Sequence, residues 1–379
     1  MLKMKLKKGS ESSESKYRSA NKRLPRFAIA FYTVAAVSLC LFLGFLISER
    51  FADFFNRYIS SVVRSVLSYL TGWIPFSLAE MIIILAPVII VGVIVFAFRR
   101  YADSWRDVLL FCGTMLSFIA LFFGIFTLSF SAGYRGTTLD RKLGIEQAEV
   151  SAEELYDTAL ILAEQINKEI AQVAFVKDGF SIMPYSYSEM NGRLIDAYDK
   201  ACDKYSFIQR LDSRLKPVML SELMSYTHIT GVYSFFTGEA NINVNFPDYT
   251  LPYTAAHEFA HQRGIAREDE ANFVAFLVCI ESEDSYIRYS AYLNLYEYVA
   301  SALYSADPEL YFQARAKLSN DVKGEMRAYS EFYEKYRDNI ASDVSEAVNN
   351  TFLVIQGTEG TKSYGMVVDL AVAYYKQAG

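Results

Sequence analysis

The 379 residues include three histidines, His228, His257 and His261, and two of these stand four apart with Glu258 directly after the first. On a helix, positions i and i+4 stack on one face, so His257 and His261 can aim imidazole nitrogens at one metal ion. Glu258 projects about 100° round the same helix, within reach of a water at that ion without having to bind it. Such a set suits hydrolysis. The ion brings a water's pKa toward ~7, and Glu258 takes its proton as the oxygen attacks a carbonyl, then delivers it to the leaving amine. Zinc is the default metal for a histidine-based site. In a chain this poor in histidine, coincidence is a weak account of the pattern. The four cysteines form no Cys-x-x-Cys pair, which excludes a thiolate zinc site or a redox motif; Cys202 and Cys279 leave room for one disulfide, although Cys279, inside an apolar run, reads rather as a buried free thiol.

The residues after His261 are also organised. Gly264 sits where a helix would stop on a left-handed residue. Glu268-Asp-Glu-Ala-Asn272 then opens a second helix, from which a carboxylate can complete the site. Successive side chains there point about 100° apart, so Glu268, Asp269 and Glu270 cannot all face the histidines. Glu268 shares a face with Asn272. Glu270 lies on the side of Val274 and Leu277, Asp269 on that of Phe273, Phe276 and Ile280.

The His-Glu-x-x-His helix with Glu268-x-x-Ala-Asn272 downstream resembles the gluzincin branch of zinc peptidases. That resemblance implies Glu268 as third ligand and Asn272 as support for a histidine ligand, with Glu270 the alternative ligand; the six residues between His261 and Glu268 are fewer than most gluzincins have. The metzincin pattern wants His or Asp where this chain has Arg267. Over nearly its full length the chain is similar to a bacterial membrane family, domain of unknown function 3810. The marks are Thr237-Gly-Glu-Ala-Asn241, the run His257 to Gly264, and Arg267-Glu-Asp-Glu-Ala-Asn-Phe273 after three N-terminal spans.

Other residues compete for roles in binding. Asn241 to Phe246 alternates asparagines with Ile242, Val244 and Phe246, a half-buried strand that could pair with extended substrate, making Asn241 and Asn243 substrate or oxyanion candidates. His228 is a further oxyanion candidate, as are Tyr226, Tyr253 and Tyr364 among 28 tyrosines. Glu239 could meet a substrate amine.

These groups need a scaffold, and composition shows its kind. Hydrophobic residues make up 52% and charged residues 21%, which suits a chain partly in a bilayer. Residues 1–26 form a basic tail with nine Lys/Arg against two Glu, while residues 133–379 carry 22 Lys/Arg against 36 Asp/Glu. So acidic a region excludes a nucleic-acid partner. Apolar runs at 27–48, 81–98 and 108–132 are long enough to span as helices. Cations before the first run, and Arg99, Arg100 and Arg106 between the second and third, place those flanks in the cytoplasm and everything after the third run outside. Apolar spacing within 51–72 predicts an amphipathic helix, lying on the membrane or packed on the spans. Ser151 with Glu154, and Ser186 with Glu189, read as capping boxes that open helices. The tyrosines at 286–304 are helically spaced and read as packing.

The expected fold is therefore a three-helix membrane anchor (27–132) followed by a mostly helical α+β zincin-like domain (133–379). The expected function is zinc-dependent hydrolysis of peptide or protein substrates outside a bacterial cytoplasmic membrane, with a non-catalytic zinc scaffold or a sensor as the alternative.

Overall fold

The computed structural model describes residues 23–101, 104–145, 148–176 and 179–378, so the basic tail lies, apart from 23–26, outside the described residues. The chain is mostly helical and divides into two compact units whose segments interleave. One runs up to Leu41 and takes in Ile83–Thr127; the other comprises Phe42–Ile82 and Leu128 onward.

Among the described residues, three helices are long and apolar enough to cross a membrane: α1 (Arg26–Ile47), α4 (Leu78–Tyr101, apolar over Leu78–Ala97) and α5 (Trp105–Ser129). Pro87 sits inside α4 without ending it. In the first unit small residues let helices approach. Gly124 lies so near α1 that an added Cβ would stand 2.7 Å from Val34, and Tyr32 donates to the Gly113 carbonyl at 2.7 Å.

The third apolar run was expected to continue to Ala132, but α5 stops at Ser129. A 3-10 turn, Ser131–Tyr134, follows, and Ser131, Ala132 and Tyr134 are buried within the second unit. Gly133 fits there only without a side chain, since a Cβ would lie 2.7 Å from the Gly264 carbonyl. Protein burial and lipid burial call for the same residue types, so hydropathy alone overran the helix end.

Between the first two spans, α2 (Glu49–Phe55) passes through a π-helical turn (Asn56–Ser60) into α3 (Ser61–Gly72). Its faces are the reverse of a soluble helix. Arg64, Ser68 and Thr71 are buried, whereas Tyr58, Val62, Val66, Tyr69 and Leu70 are exposed.

The remaining second unit is a helical body with two small sheets. Helix α6 (Leu139–Leu143) leads to α7 (Ala152–Glu169) and α8 (Tyr187–Lys204), and the two latter start at the expected capping boxes of Ser151 and Ser186. Strands β1 (Ala174–Phe175) and β2 (Ser181–Ile182) pair antiparallel. Strand β3 (Leu215–Pro217), the short α9 (Ser221–Ser225), β4 (Gly231–Ser234) and β5 (Glu239–Ile242) follow, with sheet order β3-β5-β4. Then come α10 (Thr250–Gln262), α11 (Glu268–Cys279), α12 (Ser285–Ala306), α13 (Pro308–Ala316), α14 (Asn320–Glu334), α15 (Ile340–Ile355) and α16 (Val367–Ala378). Helix α12 packs along α7 and α10, and it buries Tyr286, Tyr289 and Tyr296 as packing residues.

The alternating segment after Glu239 departs from expectation. Strand β5 ends at Ile242, and Asn241 and Asn243 are as buried as Ile242. Asn243 turns the chain instead: its Oδ1 accepts from the Asn245 N–H at 3.1 Å. Asparagine competes with strand hydrogen bonding through such local contacts, and a period-two pattern does not reveal it.

Candidate metal centre and cavity

Helix α10 carries His257, Glu258 and His261, and its end is fixed by a Schellman turn. Gly264 has φ +91°, its N–H reaches the His261 carbonyl at 2.9 Å, and the Ile265 N–H reaches Ala260 at 3.1 Å. This tight exit explains how so short a connection works. It brings Glu268, the first residue of α11, directly back to the histidines. Glu268 Oε2 lies 3.2 Å from both His257 Nε2 and His261 Nε2, and ligand atoms of the three residues all fall within 4.8 Å of one another.

The supporting contacts favour metal binding. His261 Nδ1 is 2.7 Å from the Ile265 carbonyl, an acceptor only, so Nδ1 carries the hydrogen and the neutral ring offers its Nε2 lone pair. The same turn that ends the helix therefore sets a tautomer. His257 Nδ1 is buried without a hydrogen-bond partner. Asn272 stands beside it, its side chain favouring the protonated ring, while its Nδ2 reaches toward Tyr298 Oη and the Tyr364 carbonyl at 3.5 Å each. With the amide turned so that Oδ1 accepts from Nδ1–H, Asn272 would support His257 as Ile265 supports His261.

Glu270 lies elsewhere. Its Oε1 accepts from the Leu139 N–H at 3.0 Å and from Arg267 at 2.9 Å, so it braces α11 against the start of α6 and stands outside the cluster. Arg267, which occupies the metzincin ligand position, also donates to the Tyr134 carbonyl at 3.0 Å.

The electrostatics are those of a buried cluster of mutually coupled charges. Burial disfavours charge on both histidines, and it lowers His257, with the His261 charge adding to that. For His261 the Glu268 carboxylate outweighs burial and raises the ring to about 9. Glu268 itself is held well below the usual carboxylate range, because His261 and His257 outweigh its burial. Burial pushes Glu258 up to about 8 against the charge of His261. Its Oε2 is buried and unpartnered. Its other oxygen rests on β4, where a Cβ on Gly231 would come within 2.6 Å of Oε1. Glycine at 231 is what lets the carboxylate lie there.

These groups line a cavity of about 1010 Å³. Its wall includes β4, the edge of the three-stranded sheet. Strand β5, which holds Asn241, is paired on both sides and has no backbone free for a substrate. Asn241 and Asn243 do not line the cavity either: Asn241 Nδ2 donates to the Val232 carbonyl at 3.0 Å, and Asn243 Nδ2 to Ser225 Oγ at 3.0 Å. Of the sheet, Gly231, Val232 and Tyr233 on β4 line the cavity. His228 does line the cavity, at φ +59°, with Nε2 2.7 Å from the Tyr336 carbonyl. Glu239 is remote, accepting from the Leu78 and Ala79 N–H groups at 3.1 and 2.9 Å.

Among the tyrosines, Tyr253 is committed to the Asn272 carbonyl at 2.9 Å, and Tyr226 is not on the cavity wall. Tyr364 is on the wall, raised by burial and by the charges of Glu268 and Glu258. Its oxygen accepts from Asn349 at 3.2 Å, which leaves its own hydrogen to donate. Glu297 on α12 also faces the cavity; burial raises its carboxyl to about 7, with the Tyr249 hydroxyl opposing and Glu325 adding.

Arg64 and Asn56 were not singled out in the sequence. Asn56 Nδ2 donates to the Gly264 carbonyl at 2.9 Å, and Arg64 donates to the Ser129 and Arg263 carbonyls at 2.9 and 3.3 Å. A fully buried cation thus closes the negative end of the α10 dipole. The one signal available was Arg64 within the amphipathic run 51–72, whose other arginine is Arg57.

A family model described as "Protein of unknown function (DUF3810)" matches residues 55–372. No curated protein and no solved structure matches the chain.

Proposed function

We propose that this chain, which belongs to the DUF3810 family, is a membrane-anchored zinc-dependent hydrolase that cleaves peptide or amide bonds in a zincin-like domain. One observation carries the reading: His257, His261 and Glu268 converge while Glu258, beside them, keeps a buried oxygen with no partner. A site built only to hold a structural ion has no use for such a carboxylate and tends to be closed by four protein ligands.

Zinc held by His257, His261 and Glu268 would supply Lewis acidity at the cavity wall. The chain's own groups do the rest. The edge of β4, whose Tyr233 N–H meets Glu258, orients an extended substrate through its remaining backbone groups. Glu258 takes a proton from the attacking water and returns it to the leaving amine. Tyr364 donates its hydroxyl hydrogen to the carbonyl oxygen as negative charge develops there. The test is metal analysis of the purified full-length chain together with a cleavage profile on a mixed peptide library. Stoichiometric zinc with cuts in unstructured peptides supports the reading; stoichiometric zinc with no cleavage points to a scaffold.

The ionisation of His261 makes zinc loading pH-linked. With its metal-free pKa near 9, the ring is protonated at neutral pH and must lose that proton before Nε2 can bind. Affinity is expected to rise with pH up to about 9, and loading at neutral pH to release at least one proton. Calorimetry in two buffers of different ionisation enthalpy measures that release, and identical heats after dilution correction would contradict it.

The three apolar helices, and the exposed apolar face of α2 and α3, fit a lipid bilayer partner and an interfacial helix. From the flanking cations, the N-terminus is expected inside and the metal centre outside the cytoplasmic membrane. Reporter fusions after residue 140 should be active only outside; activity confined to the cytoplasm reverses the orientation.

A further inference from the structure

The hydrolytic reading leaves Glu297 on the cavity wall without a task. Helix α12 presents Asn294, Glu297, Tyr298 and Ser301 to the cavity at i, i+3, i+4 and i+7, one continuous polar stripe. Tyr298 of that stripe lies next to Asn272, beside the candidate metal centre. Its sequence neighbour Glu297 turns to a different partner: Oε1 accepts from the hydroxyl of Tyr249, at 3.2 Å.

The charges around Glu297 are one-sided. No Lys or Arg is among the described residues lining the cavity, and none pairs with Glu297. The charge it feels most is another carboxylate, Glu325, which is fully buried and accepts from Ser181 N at 2.7 Å. A carboxylate set into a wall, backed by a second and given one neutral hydrogen bond, is costly to ionise until a cation arrives. An anionic substrate would meet only repulsion there.

We propose that Glu297 is a specificity-determining residue that receives the ammonium or guanidinium of a substrate Lys or Arg side chain in the cavity it shares with His257, Glu258, His261 and Glu268. This rests on the peptidase reading and narrows its substrates to basic peptides, with acidic peptides excluded. A free N-terminal amine has the same chemistry, so the test separates the two sources.

The full-length, zinc-loaded chain is assayed on peptides, each with a free and with an N-acetylated amino terminus, that differ at one position, Lys, norleucine or Glu, stepped along the sequence. Lys is expected to exceed norleucine in kcat/KM by at least ~10-fold at one position, with Glu poorest. In Glu297→Gln the Lys-to-norleucine ratio should fall to about one, and in Glu297→Lys the order should invert toward Glu; zinc content measured alongside shows that the metal centre survives. If both variants fail to fold, the native preference and its loss at high salt still test the charge. Equal rates for Lys and norleucine at every position overturn the proposal, as does a preference that vanishes on acetylation. If no peptide is cut at all, the peptidase reading fails, and binding of the same labelled peptides to Glu258→Gln protein still tests Glu297: Lys-selective binding upholds the subsite and unselective binding overturns it.

Discussion

Replacing Glu258 with Gln is expected to leave zinc bound and to reduce hydrolysis by at least ~100-fold, the scale of a lost general base. Gln matches Glu in size, and the fit against Gly231 tolerates nothing larger. Burial already pushes this carboxyl toward its neutral form, so a neutral amide should cost the fold little. The amide cannot accept the water's proton. Zinc stoichiometry and kcat/KM, measured on the same preparation, separate the two effects. Turnover near the parent value would show that Glu258 is not the base and would favour the scaffold reading.

Loss of zinc binding is expected from Glu268→Ala, with affinity falling by at least ~100-fold, since even residues that only support a ligand account for up to that much. Its Oε2 is equidistant from the two histidine nitrogens, and no other carboxylate belongs to the cluster. Glu270→Ala should keep zinc and lose stability instead. It strands the buried Leu139 N–H and frees Arg267, a cost of about 1–3 kcal/mol. Zinc titration and thermal melts of the two variants give opposite signatures on this account. Should Glu270→Ala be the one that loses zinc, the ligand assignment falls.

Why this contrast could be anticipated bears on what a sequence reveals. The histidine spacing, the helix stop at Gly264, the shared face of Glu268 and Asn272, and the two serine capping boxes are local features, written within a few residues of one another. The alternating asparagines misled because a side chain that bonds its own backbone looks, in one dimension, like the polar face of a strand. The end of the third apolar run was illegible because Phe130 and Ala132 are buried by the same unit that holds the metal centre. Arg64, Tyr364 and the choice of β4 as the free edge are products of long-range assembly. Arg64 meets its carbonyl on Arg263 across 199 positions, and no pattern within a window encodes that.

That separation also has a consequence in time. A chain made at ~5–20 residues per second brings Arg64 out some 10–40 s before Arg263 and Gly264 exist. Through that interval Arg64 has only nearer partners, such as Asn56 Oδ1 and the Ser129 carbonyl, while it and Asn56 still lack the carbonyls of Arg263 and Gly264. The last turn of the histidine helix closes through the Gly264 and Ile265 N–H groups, and the Arg263 and Gly264 carbonyls receive Arg64 and Asn56 only when the two distant segments meet. On the proposed reading, metal uptake waits until His261 and Glu268 have both been made, and a chain stalled before them would hold no ion.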